Sequence, residues 1–154
     1  MAISERAVED LIYAACVRMN ADDYAGWLNE LCLPAFRYSI TAHSEEIGQR
    51  MTWFDHEREP LLELCLSAGD HFTNLGTYHR HASVYRIEID GEAGEAETLS
   101  SVIVMHTTLE GESRFYATGY YEDRIDISGA RPLFRRRNVA LTTTLLVSGS
   151  HLPL

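Results

Sequence analysis

Residues 80–127 read RHASVYRIEIDGEAGEAETLSSVIVMHTTLEGESRFYATGYYEDRIDI. Glycine-bearing turn signals at 91–94 and 110–112 cut this stretch, and a third at 128–131 follows it. Four β-rich runs result, at roughly 80–90, 96–109, 113–127 and 132–147. In the first, alternation places Ser83, Tyr85, Ile87 and Ile89 on one face. The second, LSSVIVMHTTL, is apolar on both faces, as a central strand is. The third carries Gly119 in mid-strand, which predicts a bulge or a sharp bend. Four long strands in succession form an antiparallel meander with one face to bury.

The cover for that face comes from upstream. Ser4 is a natural N-cap for a helix over 4–19, in which Val8, Leu11, Ile12, Ala15 and Met19 recur at helical spacing. NADDYAGW interrupts the chain, and Asn20 is the expected cap of a second helix. Asp22 and Asp23 suit its first turn, Tyr24, Leu28 and Leu31 give it a buried side, and Pro34 is expected to stop it. AFRYSIT then alternates as a half-buried strand, with Phe36, Tyr38 and Ile40 inward. PLLELCLSAG reads as a third helix, with Pro60 in its first turn and Gly69 near its end. Residues 41–59 are mixed and carry no clear signal. The predicted architecture is a single α+β domain over 1–154, a strongly curved antiparallel sheet wrapped over N-terminal helices. Such a roll makes a cone with a pocket inside.

With 154 residues and 45% hydrophobic content, the chain can bury a real core. No apolar run approaches the ~20 residues that cross a bilayer, and MAISERAVED has no signal-peptide core, so export is not expected. A formal net charge of -10 argues against nucleic-acid and membrane partners. RPLFRRRN concentrates Arg131, Arg135, Arg136 and Arg137, read as ion pairs to the acidic surface or to a partner protein. Cys16, Cys32 and Cys65 are odd in number, widely spaced and set among apolar helical residues. They read as small core side chains in a reducing cytoplasm.

His79 and His81 are two apart at the start of the first long strand, so both imidazoles face one spot. A divalent metal needs three or four ligands, and nothing local supplies the third. Asp70 and His71 are near only in sequence. The pair reads as edge or interface polar residues. No C-x-x-C, C-x-H, P-loop or dinucleotide glycine motif is present, and no serine is framed by glycines. An acid–base pocket of Asp23, Tyr38, His81 and His106 remains open, against the plainer reading of a helix first-turn carboxylate, a strand tyrosine and hydrogen-bonded histidines.

DDYAGWLNELCLPAFRYSIT, YHRHASVYRI, FYATGYYEDRID, PLFRRRNVAL and HLPL, taken in order, carry a resemblance over nearly the whole chain. The chain resembles the small (β) subunit of Rieske-type aromatic-ring-hydroxylating dioxygenases, and its size and HLPL segment look most like the short β subunits of terephthalate- and salicylate-type oxygenases. These have the cystatin-like cone fold shared with nuclear transport factor 2, ketosteroid isomerase and scytalone dehydratase. The resemblance implies a chain with no active site, cofactor or metal of its own. The iron–sulfur cluster and mononuclear iron would belong to a large (α) subunit. The small subunits would form a trimeric base in a three-plus-three complex for aromatic catabolism, with His79 and His81 as surface or subunit contacts. The rival within the fold is a free-standing lyase or isomerase. Scytalone dehydratase uses an Asp after its first helix and a His where the sheet begins, and Asp23 and His81 fall near those positions; FYATG lacks its second histidine. A small-ligand binder is the third reading.

Overall fold

In the computed structural model, which describes residues 2–68, 76–146 and 152–154, the first helix is α1, Glu5–Asn20. Ser4 caps it, accepting the Ala7 N–H at 3.2 Å. The expected stripe is buried, and Cys16 joins it. Helix α2, Tyr24–Leu31, is capped by Asp23 and not by Asn20. The chain turns through Asp22, whose φ is +56°, so the helix restarts later than the sequence suggested. Asn20 has another task. Its Oδ1 accepts the Arg80 N–H at 2.8 Å and its Nδ2 donates to the Arg80 carbonyl at 3.3 Å, which ties the end of α1 to the sheet.

Strand β1, Cys32–Ser44, starts directly after α2, so Pro34 lies inside it and does not terminate the helix. Helix α3, Arg58–Ser67, carries Pro60 in its first turn, where the missing N–H has no helical partner to lose. It buries Leu61 and Cys65. The expected Gly69 end, and Asp70 and His71, lie outside the described residues. Much of the unassigned 41–59 segment is strand: the end of β1, then β2, Gln49–Glu57.

The four expected runs are β3 (Thr77–Asp90), β4 (Glu95–Thr107), β5 (Ser113–Asp126) and β6 (Leu133–Leu141). β6 stops short of the predicted end; residues 142–146 are in no strand, and 147 lies outside the described residues. The six strands lie in the order β2-β1-β6-β5-β4-β3. The meander is antiparallel as expected. β1, however, runs parallel to β6, with Tyr38 opposite Arg137 and Ile40 opposite Val139, so the sheet is mixed. β2 adds antiparallel at the edge.

Register slips at Ile40/Thr41, Val84/Arg86, Val104/Met105 and Arg124/Ile125 each put an extra residue in one strand. Such bulges strengthen twist and bend the sheet over the helices. Two sequence readings change here. Tyr85 is the bulged residue of β3, so Ser83, Tyr85, Ile87 and Ile89 do not share one face; Ile87 packs on the core while Tyr85 is exposed. Gly119 lies in regular register between Val102 and Leu141, and the nearby bulge is at Tyr116. The inner face packs on α1, α2 and α3 around Trp27, which is fully buried and meets Phe36 and Tyr38 edge-on at 5.8 Å each.

Candidate functional site

His79 and His81 do share the outer face of β3, both exposed, with ring centroids 4.5 Å apart. Their cross-strand neighbours are Met105 and Ile103, neither a ligand for a hard or borderline cation. The three cysteines sit on α1, β1 and α3, all free and buried. Burial pushes all three thiols up, that of Cys65 to about 12. Among the described residues, no group of three or more His, Cys, Asp or Glu side chains is placed to hold a metal ion. These residues do not fit an iron–sulfur cluster or a mononuclear iron. With so little thiolate, all three cysteines should react with Ellman's reagent at pH 8 only as fast as the protein opens. Rapid labelling of the native chain would contradict their burial.

The four acid–base candidates do not converge. His81 is on the outer face of the sheet; Tyr38 and His106 are on the inner face. His106 packs against Tyr78, 4.8 Å between centroids. Asp23 is engaged at the start of α2. Its Oδ2 pairs with Arg18 Nη1 at 2.6 Å, and its Oδ1 accepts the Gly26 N–H at 2.9 Å. Arg18, and then the Gly26 N–H, hold its carboxyl below the ordinary value of 3.8. A depressed carboxyl stabilises the fold above its unfolded pKa, and that contribution fades as pH falls through the folded value. Asp23→Ala should therefore be less stable than wild type at pH 7, and the gap should close as pH falls below 3.8. Urea titrations of both proteins across that range check it.

The inner face holds polar groups that the sequence reading left aside. Arg137 and Asp123 form a bidentate pair, Nε–Oδ1 2.7 Å and Nη2–Oδ2 2.8 Å, with both side chains 0% exposed. The guanidinium lies 3.9 Å over the Tyr121 ring and 4.7 Å over Phe134. Burial works against its charge, but the Asp123 carboxylate more than compensates and raises its pKa. The available signal was Asp123 in the apolar phase of Tyr121-x-Asp123-x-Ile125, directly opposite Arg137. Beside this pair, residues 152–154 enter the core. The Leu154 N–H donates to the Tyr38 hydroxyl at 2.8 Å, and that hydroxyl donates to the Leu154 oxygen at 3.2 Å. Arg80, 3% exposed, donates from Nη2 to the Pro153 carbonyl at 2.6 Å. Pro153 and Leu154 thus occupy part of the interior where a cone pocket was expected.

The outer face is different in kind. A polar groove of about 550 Å³ runs across β2, β1, β6, β5, β4 and β3. Arg50–Glu122 (3.4 Å) and Arg124–Glu97 (3.1 Å) pair within it, and Arg136 and Asn138 line it. Of the RPLFRRRN cluster, Arg135 pairs with Glu95 and Asp126, and Arg137 pairs inward. Beside the groove, Ile103, Phe115 and Tyr120 are 45%, 53% and 41% exposed on the same face. Arginines and aromatics together are what subunit contacts favour.

No family model matches the chain. It is 31% identical to the methanesulfonate monooxygenase hydroxylase subunit beta of Methylosulfonomonas methylovora, over 96% of this chain and 86% of that one. It is 27% identical to the 2-aminobenzenesulfonate 2,3-dioxygenase subunit beta of an Alcaligenes species, over 96% and 97%. The fold matches the beta subunit of the benzoate 1,2-dioxygenase of Burkholderia mallei with a TM-score of 0.68 at 13% identity, covering 92% and 93%. Identity of 31% over nearly the whole of this chain places it: the chain belongs to the β-subunit family of ring-hydroxylating and related multicomponent oxygenases.

Proposed function

We propose that this chain is the non-catalytic scaffold of a cytoplasmic oxygenase complex. It trimerises through its sheet and carries three large subunits, each holding an iron–sulfur cluster and a mononuclear iron. The 31% identity to a hydroxylase β subunit, over 96% of this chain and 86% of that one, carries this reading. The arginine- and aromatic-bearing outer face supports it, because that face offers contact groups. The three buried free thiols suit a reducing compartment. No helix among the described residues is long and apolar enough to cross a membrane.

Both relatives are named for sulfonates, one alkyl and one aromatic. An organosulfonate is therefore the first substrate class to try, ahead of aromatic carboxylates and hydrocarbons. Co-expression with the large-subunit gene from the same source should yield a complex of equal subunits. Iron should be present in proportion to the large chain, with oxygen uptake on methanesulfonate or 2-aminobenzenesulfonate. Iron bound by the isolated chain, or turnover by it alone, would overturn the scaffold reading.

A further inference from the structure

The edge of the sheet gathers three donor groups that no single strand displays. β3 is an edge strand, and His79 and His81 stand exposed on its outer face with ring centroids 4.5 Å apart. Two imidazole nitrogens share one ion when they lie within about 4 Å of each other, twice a metal–nitrogen bond. Exposed rings at this spacing come to that distance by small rotations, which cost little at a solvated surface.

The strand pairing adds a third donor. Met105 of β4 is directly opposite His79, and Ile103 is opposite His81. Val104 and His106, on either side of Met105, are buried on the inner face, so Met105 belongs to the outer face with the two histidines. Directly opposite residues hold their Cβ atoms about 4.5–5.5 Å apart, and the diagonal pair, here His81 and Met105, about 7–8 Å. A thioether on three rotatable bonds spans both distances.

The chemistry of the set selects the ion. Its donors are two imidazoles and a thioether, all neutral, and the outer-face neighbours are the apolar Ile103 and Phe115, 45% and 53% exposed. Neutral donors beside apolar groups offset a divalent charge poorly. A thioether is a soft donor that suits Cu(I), imidazole suits copper as well, and hard cations take neither carboxylate nor carbonyl oxygen from these side chains.

We propose that His79, His81 and Met105 form a surface site for monovalent copper, assembled across the seam between β3 and β4. All three donors come from one chain, so the site does not rest on subunit assembly, and its failure would leave the scaffold reading untouched.

The test titrates the isolated full chain, reduced and free of oxygen, against the coloured Cu(I)–bicinchoninate complex, whose absorbance falls as the protein takes the ion. Wild type should remove one Cu(I) per chain, and a tenfold excess of Zn(II) should not displace it. His79→Ala and His81→Ala, at exposed positions, should each weaken uptake at least tenfold. Met105→Leu keeps most of the side-chain volume and removes the sulfur, and it should also weaken uptake at least tenfold. Should Met105→Leu not fold, Met105→Ile is read in the same way. Cys16, Cys32 and Cys65 remain in every variant, so copper held by thiols would not respond to these changes. Absence of uptake from bicinchoninate, displacement by zinc, or Cu(I) affinity unchanged in any of the three variants overturns the proposal.

Discussion

Asp123→Asn is expected to destabilise the protein by about 3–5 kcal/mol in urea titration, because it leaves a charged guanidinium buried without its counter-ion. The substitution keeps the shape of the side chain, so little of the loss can be assigned to a cavity. Arg137 cannot turn to water: its side chain is 0% exposed and held between Tyr121 and Phe134. Arg137→Met should be comparably severe, since it strands the carboxylate instead. The double variant Asp123→Leu/Arg137→Met should lose much less than the sum, because replacing a buried pair with apolar groups of similar volume removes two desolvation costs together. If the single variants cost under about 1 kcal/mol, the pair is hydrated and the interior is not as dry as its packing indicates.

This pair also marks how far the sequence could be read. Hairpins announce themselves locally, so the glycine-bearing turns at 91–94 and 110–112 placed β3, β4 and β5 to within a few residues of where they lie. The stripe from Val8 to Met19 did the same for α1. β2 escaped because it is an edge strand with almost every residue exposed or half-exposed, so QRMTWFDHE has no buried phase to alternate with. The parallel seam between β1 and β6 joins residues about a hundred apart and has no turn to betray it. The bulge at Tyr85 hid the change of phase that brings Ile87 inward, since alternation assumes an unbroken ladder.

The candidate site follows the same division. That His79 and His81 meet on one face is a property of the strand alone, and it was legible. Which face, and what stands opposite, is tertiary; Asp23, Tyr38, His81 and His106 were plausible partners only while the sheet had no assigned inside. Tyr38 bonding to Leu154 spans 116 positions of sequence, and no local pattern encodes such a contact.

Gly119→Ala is the second large effect, at about 3 kcal/mol, the upper end of what overpacking usually costs. The sequence pointed to a bulge or a sharp bend at this glycine, but its register is regular; what requires glycine is the approach of the neighbouring strand. A Cβ there would lie 2.3 Å from the Ala140 carbonyl oxygen and 2.8 Å from Leu141 Cα. Both are backbone atoms, so no side chain can swing aside, and β5 must part from β6. The nearest bonds at risk are those from the Thr142 and Thr143 N–H groups to the Thr118 carbonyl, at 2.9 and 3.2 Å. Gly91→Ala is the control: nothing lies within 4 Å of a Cβ at that turn, so its change should stay within about 0.5 kcal/mol. Hydrogen exchange distinguishes a local wedge from a wider failure. β6 is the strand that joins the meander to β1, so a wedge at Gly119 should also speed exchange along the parallel seam from Tyr38 to Ala42. Loss of protection confined to β5 would mean that the two halves of the sheet are held by the helices rather than by β6.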